Sequence, residues 1–388
     1  MASIRLERQR GHAAEPANDP RAGAEGEGDS PGMYPLQASR SYPREQWYVA
    51  AYRNELPAGK PLGREIFGEP VVLFRSDSGE AAALSGLCVH RFMPLAGGQV
   101  TGGKLVCPYH GYAYGADGQC VHIPTGGKPS PHAKLRHYPV IEDGPFIWIW
   151  PGTAEKAANT PLPDLRDIGL SGDGEGWRVD TAERLDLDAR PALLVDNLFD
   201  LSHIAFIHLQ SLPGAEGLAL IPPVFDRTDV RFRVGRTLPG FVAEPDTAIA
   251  RTMPLIAGRP VFVSLHTDFY SPAMINSSGP WAYELVDGNQ PGAPIAKINF
   301  VHIVTPKNET ATHYFNVVSR DFDLDDEDIS AQLVAQTDRV RKEDAVWIAQ
   351  IEKYADRLDV RKEISTKADE GALKVRRVLQ ALIEAEEA

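Results

Sequence analysis

The chain has 388 residues, of which 40 are Lys or Arg and 53 Asp or Glu, giving a formal charge of −13. That balance excludes a nucleic-acid binder, which needs clustered basic side chains, and suits docking of a basic protein partner. No apolar run approaches the roughly 20 residues of a bilayer span, and the basic–apolar–small order of a secretory signal is absent, so a cytoplasmic location is expected.

Residues 1–40, rich in Ala, Gly, Glu, Asp and Pro, read as a disordered or loosely packed arm. Residues 41–152 alternate short β-favouring runs with Gly and Pro turns. Examples are QWYVAAY (46–52), PVVLFR (70–75), 81–87, 111–114 and FIWIW (146–150). They predict a small all-β domain. A loop-like stretch at 151–176 marks the boundary. The second domain, 153–388, is expected to open with a helix over 190–208. It returns to strands over 224–320, as at 260–266 and 298–304, and reads helical from Asp325, where Asp325, Asp326 and Asp328 favour a helix start.

The three cysteines are Cys88, Cys107 and Cys120. Few, closely spaced cysteines in a reducing compartment point to metal. Residues 86–111 read GLCVHRFMPLAGGQVTGGKLVCPYHG. Cys88-x-His90 and Cys107-x-x-His110 each offer one thiolate and one imidazole before turn-forming residues. Two Cys on one iron and two His on the other make the Rieske [2Fe–2S] arrangement. A structural zinc site also uses Cys₂His₂, but usually runs Cys, Cys, His, His. Cys120 lies outside the pattern and reads as a packed thiol.

Residues 195–208, VDNLFDLSHIAFIH, hold Asn197, Asp200, His203 and His208. Asp200 and His203 share a helix face. His203 and His208 diverge by about 140° on a regular helix, so the helix is expected to loosen, bulge or end between them. Two His and a carboxylate form the facial triad of non-haem Fe(II) oxygenases. Asp344 is the candidate carboxylate. It falls on the apolar stripe of the last long helix, with Leu333, Val340, Trp347 or Ile348, and Ile351, where an unpaired charge is costly. Glu343 is expected to face solvent.

CVHRFMPL, CPYHGYAY with DGQCVHIP, FIWIWPG, VDNLFDLSHIAFIH, VHIVTP, THYF and KEDAVWIAQIE together resemble the Rieske non-haem iron oxygenases. The resemblance is to the vanillate and dicamba O-demethylase branch, related to phthalate dioxygenase. It implies an α+β chain: an all-β Rieske domain, then a helix-grip catalytic domain with a curved antiparallel sheet holding helices. It implies a [2Fe–2S] cluster on Cys88, His90, Cys107 and His110, and Fe(II) on His203, His208 and Asp344. Asn197 matches an asparagine near the iron. Asp200 matches a carboxylate linking a cluster histidine of one subunit to an iron ligand of the next, within a homotrimer.

The implied activity is that of a terminal oxygenase. It takes O₂, and electrons from NAD(P)H through a separate flavin and ferredoxin-type reductase, to demethylate a small aromatic substrate at O or N. The chain has no Gly-rich nucleotide fingerprint of its own. Hydroxylation without dealkylation is the alternative within enzymes, and a Rieske electron carrier the alternative outside them. Met274, Asn276, Trp281, Phe300 and His302 are expected to line the pocket. Asn276 and His302 resemble substrate contacts of the O-demethylases.

Overall fold

The computed structural model describes residues 41–212, 221–227, 232–287, 289–355 and 364–388, so the arm at 1–40 lies outside the described residues. Three small antiparallel sheets fill the first part of the chain. Tyr48–Tyr52 pairs with Phe146–Ile149, which pairs with Val140–Asp143. Leu62–Ile66, Glu69–Arg75, Ala81–Ser85 and His137–Tyr138 form the second sheet, and Gln99–Thr101, Lys104–Val106, Ala113–Tyr114 and Cys120–His122 the third. Tyr48–Tyr52 and Phe146–Ile149 are buried throughout, which explains why YVAAY and FIWI carry no polar alternation.

The two cluster loops leave this scaffold at 86–94 and 107–112. Each closes on its own cysteine: Phe92 N–H donates to the Cys88 carbonyl and Gly111 N–H to that of Cys107, at 2.9 and 3.1 Å. The same position in each loop has positive φ, 55° at Phe92 and 68° at Gly111. Glycine takes that conformation freely, whereas phenylalanine does so against steric cost.

The second part is built on one eight-stranded antiparallel sheet. From one edge it runs Arg178–Thr181, Ala311–Arg320, Gln290–Asn308, Met274–Val286, Pro260–Ser271, Phe232–Val242 and Val224–Arg227, with Leu185–Leu187 also on Ala311–Arg320. Strand alternation sorts its two faces. Ile298 and Val318 pack with Ile329 and Leu333 of the long helix. Val301, Ile303 and Val317 join the core that holds Tyr48, Val49 and Trp148. The sheet therefore lies between its helices and the Rieske-like half. The Thr305 hydroxyl donates to the Val49 carbonyl at 2.8 Å, and the Tyr52 hydroxyl donates to the Asn316 carbonyl at 2.8 Å while accepting from its N–H at 3.0 Å.

Four helices carry the argument: α1 (Pro191–Phe199), α2 (Ile204–Ile207), α3 (Glu327–Ala355) and α4 (Glu370–Glu387). Pro191 opens α1 at a position where its missing N–H costs nothing. Asp326 Oδ1 caps α3 through Ile329 N–H at 2.9 Å. Two guanidinium–carboxylate pairs hold α1 down: Arg190 binds Glu352 of α3 at 2.8 Å through both Nε and NH2, and Arg376 of α4 binds Asp196.

Candidate iron site and cluster loops

Helix α1 stops at Asp200, where φ is −91° and ψ 88°. The Asp200 carboxylate accepts from Ser202 N–H at 2.8 Å and Ser202 Oγ at 2.5 Å, a local turn that competes with the helix. One interruption therefore falls before His203, and the helix ends again between the two histidines, at Ile207, with His208 at φ −102° and ψ 23°, as expected. His203 and His208 flank the single turn of α2, with ring centroids 5.3 Å apart. Asp200 reaches His203 through its backbone carbonyl, which faces Nδ1; within one chain its carboxylate is engaged by Ser202.

Asp344 approaches from α3. The inward stripe of that helix is Ser330, Leu333, Thr337, Arg341, Asp344 and Ile348. Ile348 takes the core position, and Trp347 and Ile351 are exposed, a correction to the apolar stripe read from sequence. Asp344 Oδ1 is the focus of the site. It lies 3.1 Å from His208 Nε2 and 3.5 Å from His203 Nε2, and Asn197 Nδ2 donates to it at 3.2 Å. Among the described residues, His203, His208 and Asp344 form the one group of three or more His, Cys, Asp or Glu residues that could hold a metal ion, their ligand atoms within 4.8 Å of one another.

The donor set fits a metal ion. Both Nδ1 atoms are engaged, His203 at the Asp200 carbonyl and His208 at Glu343 Oε2, 2.7 Å away. The two Nε2 lone pairs are thereby left toward the carboxylate. His208 is 1% exposed, and its Nε2 is buried without a well-aligned hydrogen bond. Burial alone would lower the His208 pKa, but Asp344 and then Glu343 outweigh it and raise it. A position that favours a proton in this way also favours a cation. Glu343 is a correction to the sequence reading: it turns to His208 instead of solvent, and Ser211 Oγ donates to the same oxygen at 2.6 Å. Its spacing from His208 gave no signal, because the contact joins two elements far apart in sequence.

Of the expected pocket residues, His302 and Phe300 lie on the helix-facing side of the sheet. His302 pairs across strands with Asn316, whose side chain accepts from Thr337 of α3 at 3.0 Å. Burial lowers the His302 pKa to about 3, so the ring is neutral, with Nδ1 2.5 Å from the Tyr314 hydroxyl. Asn276 pairs with Val301 and bonds Asn299 Oδ1 at 3.1 Å. Trp281 donates to the same oxygen at 2.9 Å, and Met274 pairs with Ile303. These three occupy the opposite face, so the structure does not bring Asn276 together with His302.

In the first half, Cys88 and Cys107 are buried and the His90 and His110 rings stand 4.6 Å apart, centroid to centroid. Burial first, then the adjacent Cys88 thiol, raise the Cys107 pKa. His90 Nδ1 is buried with no partner, as a ligand atom facing a metal would be. Cys120 is buried in the same apolar cluster as Cys88 and Cys107.

The Rieske [2Fe–2S] domain family matches residues 46–139, and the vanillate O-demethylase oxygenase C-terminal domain matches 187–385. The chain belongs to the Rieske non-haem iron oxygenases. This oxygenase is 33% identical to the oxygenase component of dicamba O-demethylase from Stenotrophomonas maltophilia, over 90% of this chain and all of that one. It is 30% identical to the oxygenase component of chloroacetanilide N-alkylformylase from Rhizorhabdus wittichii, over 88% of this chain and 95% of that one. The crystal structure of dicamba monooxygenase bound to 3,6-dichlorosalicylic acid superposes with a TM-score of 0.76 at 30% identity, covering 89% and 98% of the two chains. The protein is thus a terminal oxygenase component of the Rieske monooxygenase type, with a [2Fe–2S] cluster and a mononuclear iron as its cofactors. Among the described residues no helix is long and apolar enough to cross a membrane.

Proposed function

We propose that the oxygenase removes a methyl group from O or N of a small aromatic substrate in the cytoplasm. Residues 41–152 act as the Rieske domain and 153–388 as the catalytic domain. Convergence of two imidazole Nε2 atoms and one carboxylate, with Asn197 on the same oxygen, carries this reading. His203, His208 and Asp344 would hold Fe(II), and Cys88, His90, Cys107 and His110 the cluster. Bound there, these groups supply O₂ activation and electron delivery toward a methoxy or N-methyl C–H bond, and the oxidised carbon leaves as formaldehyde. The relative named for dicamba O-demethylation and the vanillate O-demethylase family model matched over 187–385 support that outcome. Neutral His302, facing α3, is the candidate substrate contact; Asn276 is the weaker candidate, given its face of the sheet.

A homotrimer and a separate NAD(P)H-linked reductase complete the reading. Phe92 and Tyr109, 73% and 60% exposed, crown the cluster loops. Phe206 and Leu209 beside the iron ligands, and Val346, Trp347, Ile351 and Tyr354 on α3, are exposed as well. Apolar side chains gathered at two metal sites suit docking of one copy's cluster loops near another copy's iron, with Asp200 between the centres. The test is reconstitution with cluster, Fe(II), a surrogate reductase and NADH over a panel of methoxy- and N-methyl-arenes. Formaldehyde equal to demethylated product is expected. Hydroxylated product without formaldehyde would make the protein a hydroxylase, and reduction of the cluster without any substrate oxidation would make it a carrier.

A further inference from the structure

Glu343 has no part in the ligand set above, yet it is built into the site. Its Oε2 lies 2.7 Å from His208 Nδ1 and accepts from Ser211 Oγ at 2.6 Å. Ser211 follows α2 and is itself buried. One carboxylate oxygen is thus fixed from two sides of the loop that carries His208. Its neighbour Asp344 sits against the other nitrogen of the same ring, Nε2, at 3.1 Å. Consecutive residues of α3 therefore grip one imidazole at both ends.

We infer that Glu343 is a positioning residue for the iron site. It holds the proton of His208 on Nδ1, aims Nε2 at the metal position and makes the ring a stronger donor. The inference rests on the proposed role of His208 as an iron ligand. The physical reason is general: a ligating imidazole whose remote N–H donates to a carboxylate has a fixed tautomer and orientation, and loss of such a partner costs about 10–100-fold in metal affinity or activity. His203 has a different arrangement. Its Nδ1 faces the Asp200 backbone carbonyl, a neutral acceptor that no side-chain substitution removes. The two histidines are thus unequal donors, with the charged support on His208 alone.

The surroundings favour a positioning role over a merely structural one. Glu343 is 28% exposed and is joined to no Lys or Arg by any ion pair among the described residues. Its carboxylate contributes little to packing, and the isosteric Glu343→Gln keeps its volume. Gln can still accept from Nδ1–H through its amide oxygen, without the charge; Ala cannot accept at all. Ser211→Ala leaves the carboxylate in place and removes only its anchor.

The experiment titrates Co(II), followed by its visible d–d absorption, into the full chain with its [2Fe–2S] cluster loaded and the mononuclear site emptied. Wild type is compared with His208→Ala, Glu343→Ala, Glu343→Gln and Ser211→Ala, with melting temperature recorded for each. The expected order of weakening is Glu343→Ala, by about 10–100-fold, then Glu343→Gln, then Ser211→Ala, with altered d–d bands for Glu343→Ala and a melting temperature near wild type for the isosteric Glu343→Gln. Wild-type affinity and bands in Glu343→Ala, while His208→Ala loses the ion, would overturn the inference and leave the iron assignment standing. Wild-type binding by His208→Ala would remove the iron assignment itself.

Discussion

The two metal sites of this oxygenase are built in opposite ways. The candidate cluster ligands fall between Cys88 and His110 on two loops that fold back on their own cysteines. The candidate iron triad needs α2 and α3, brought together by the sheet and by the Arg190–Glu352 and Arg376–Asp196 pairs that pin α1. A local site is specified by spacing; a long-range site is specified by the whole fold. The cluster loops should therefore tolerate damage to the catalytic half, while the iron site should feel almost any loosening of the helices.

The strongest way to break that contrast is Asp344→Asn. It should leave the Rieske visible and EPR spectra intact and lose iron and activity by more than the about 10–100-fold expected of an outer partner. Equal loss of both spectra would mean that the sites are not independent. Next comes Glu352→Gln, which takes the carboxylate charge from beside the Arg190 guanidinium, itself without solvent exposure. Removing one member of a buried pair costs roughly 3–5 kcal/mol. The midpoint of denaturant unfolding should fall accordingly, with iron lost before the cluster colour. By contrast Arg166–Asp164 is exposed on both sides, and deleting it should leave the midpoint unchanged.

The faces of the sheet offer a smaller effect. His302→Gln should raise the KM for substrate several-fold, whereas Asn276→Ala, on the other face, should lower stability and spare KM. The reverse pattern would restore Asn276 to the pocket. The smallest expected effect is in pH. His302 titrates near 3 when folded but near 6.5 when unfolded. Its contribution to stability is therefore full above about pH 6.5 and lost as pH falls toward 3. His302→Gln should flatten the slope of melting temperature against pH across that interval by up to one proton's worth. An unchanged slope would show that the ring is not held neutral.

What could be read in the sequence follows the same division. The ligand candidates were legible because their residue types are costly where they stand: alternating Cys and His, and a carboxylate on the buried face of α3. The β character of the first domain and the strands of the second followed from run length and turn residues. Helix phase was legible only to within one residue: of the alternatives Trp347 or Ile348 the core takes Ile348, and Ile351 was wrongly placed on the stripe. Glu343 was misread for the same reason. A hundred-degree step along α3 separates solvent from His208 only if nothing lies opposite, and the partner element sits far away in the chain. The placing of Asn276 on the face opposite His302 was not legible, because strand alternation gives relative, not absolute, facing. The exit of α1 at Asp200 was hidden because an Asx turn looks like helix-compatible sequence until Ser202 closes it.

The Tyr52 hydroxyl bonds both the N–H and the carbonyl of Asn316, whose side chain in turn meets Thr337, about two helical turns from Asp344 on α3. A residue of the electron-receiving module is thereby stitched into the sheet beneath the catalytic helix of its own chain. For anyone recombining parts, the module is not a plug-in cassette. A chimera that imports a foreign front half would carry its redox chemistry intact, yet arrive without the stitch, and the acceptor half would inherit an unfilled seam along Asn316 and Thr305.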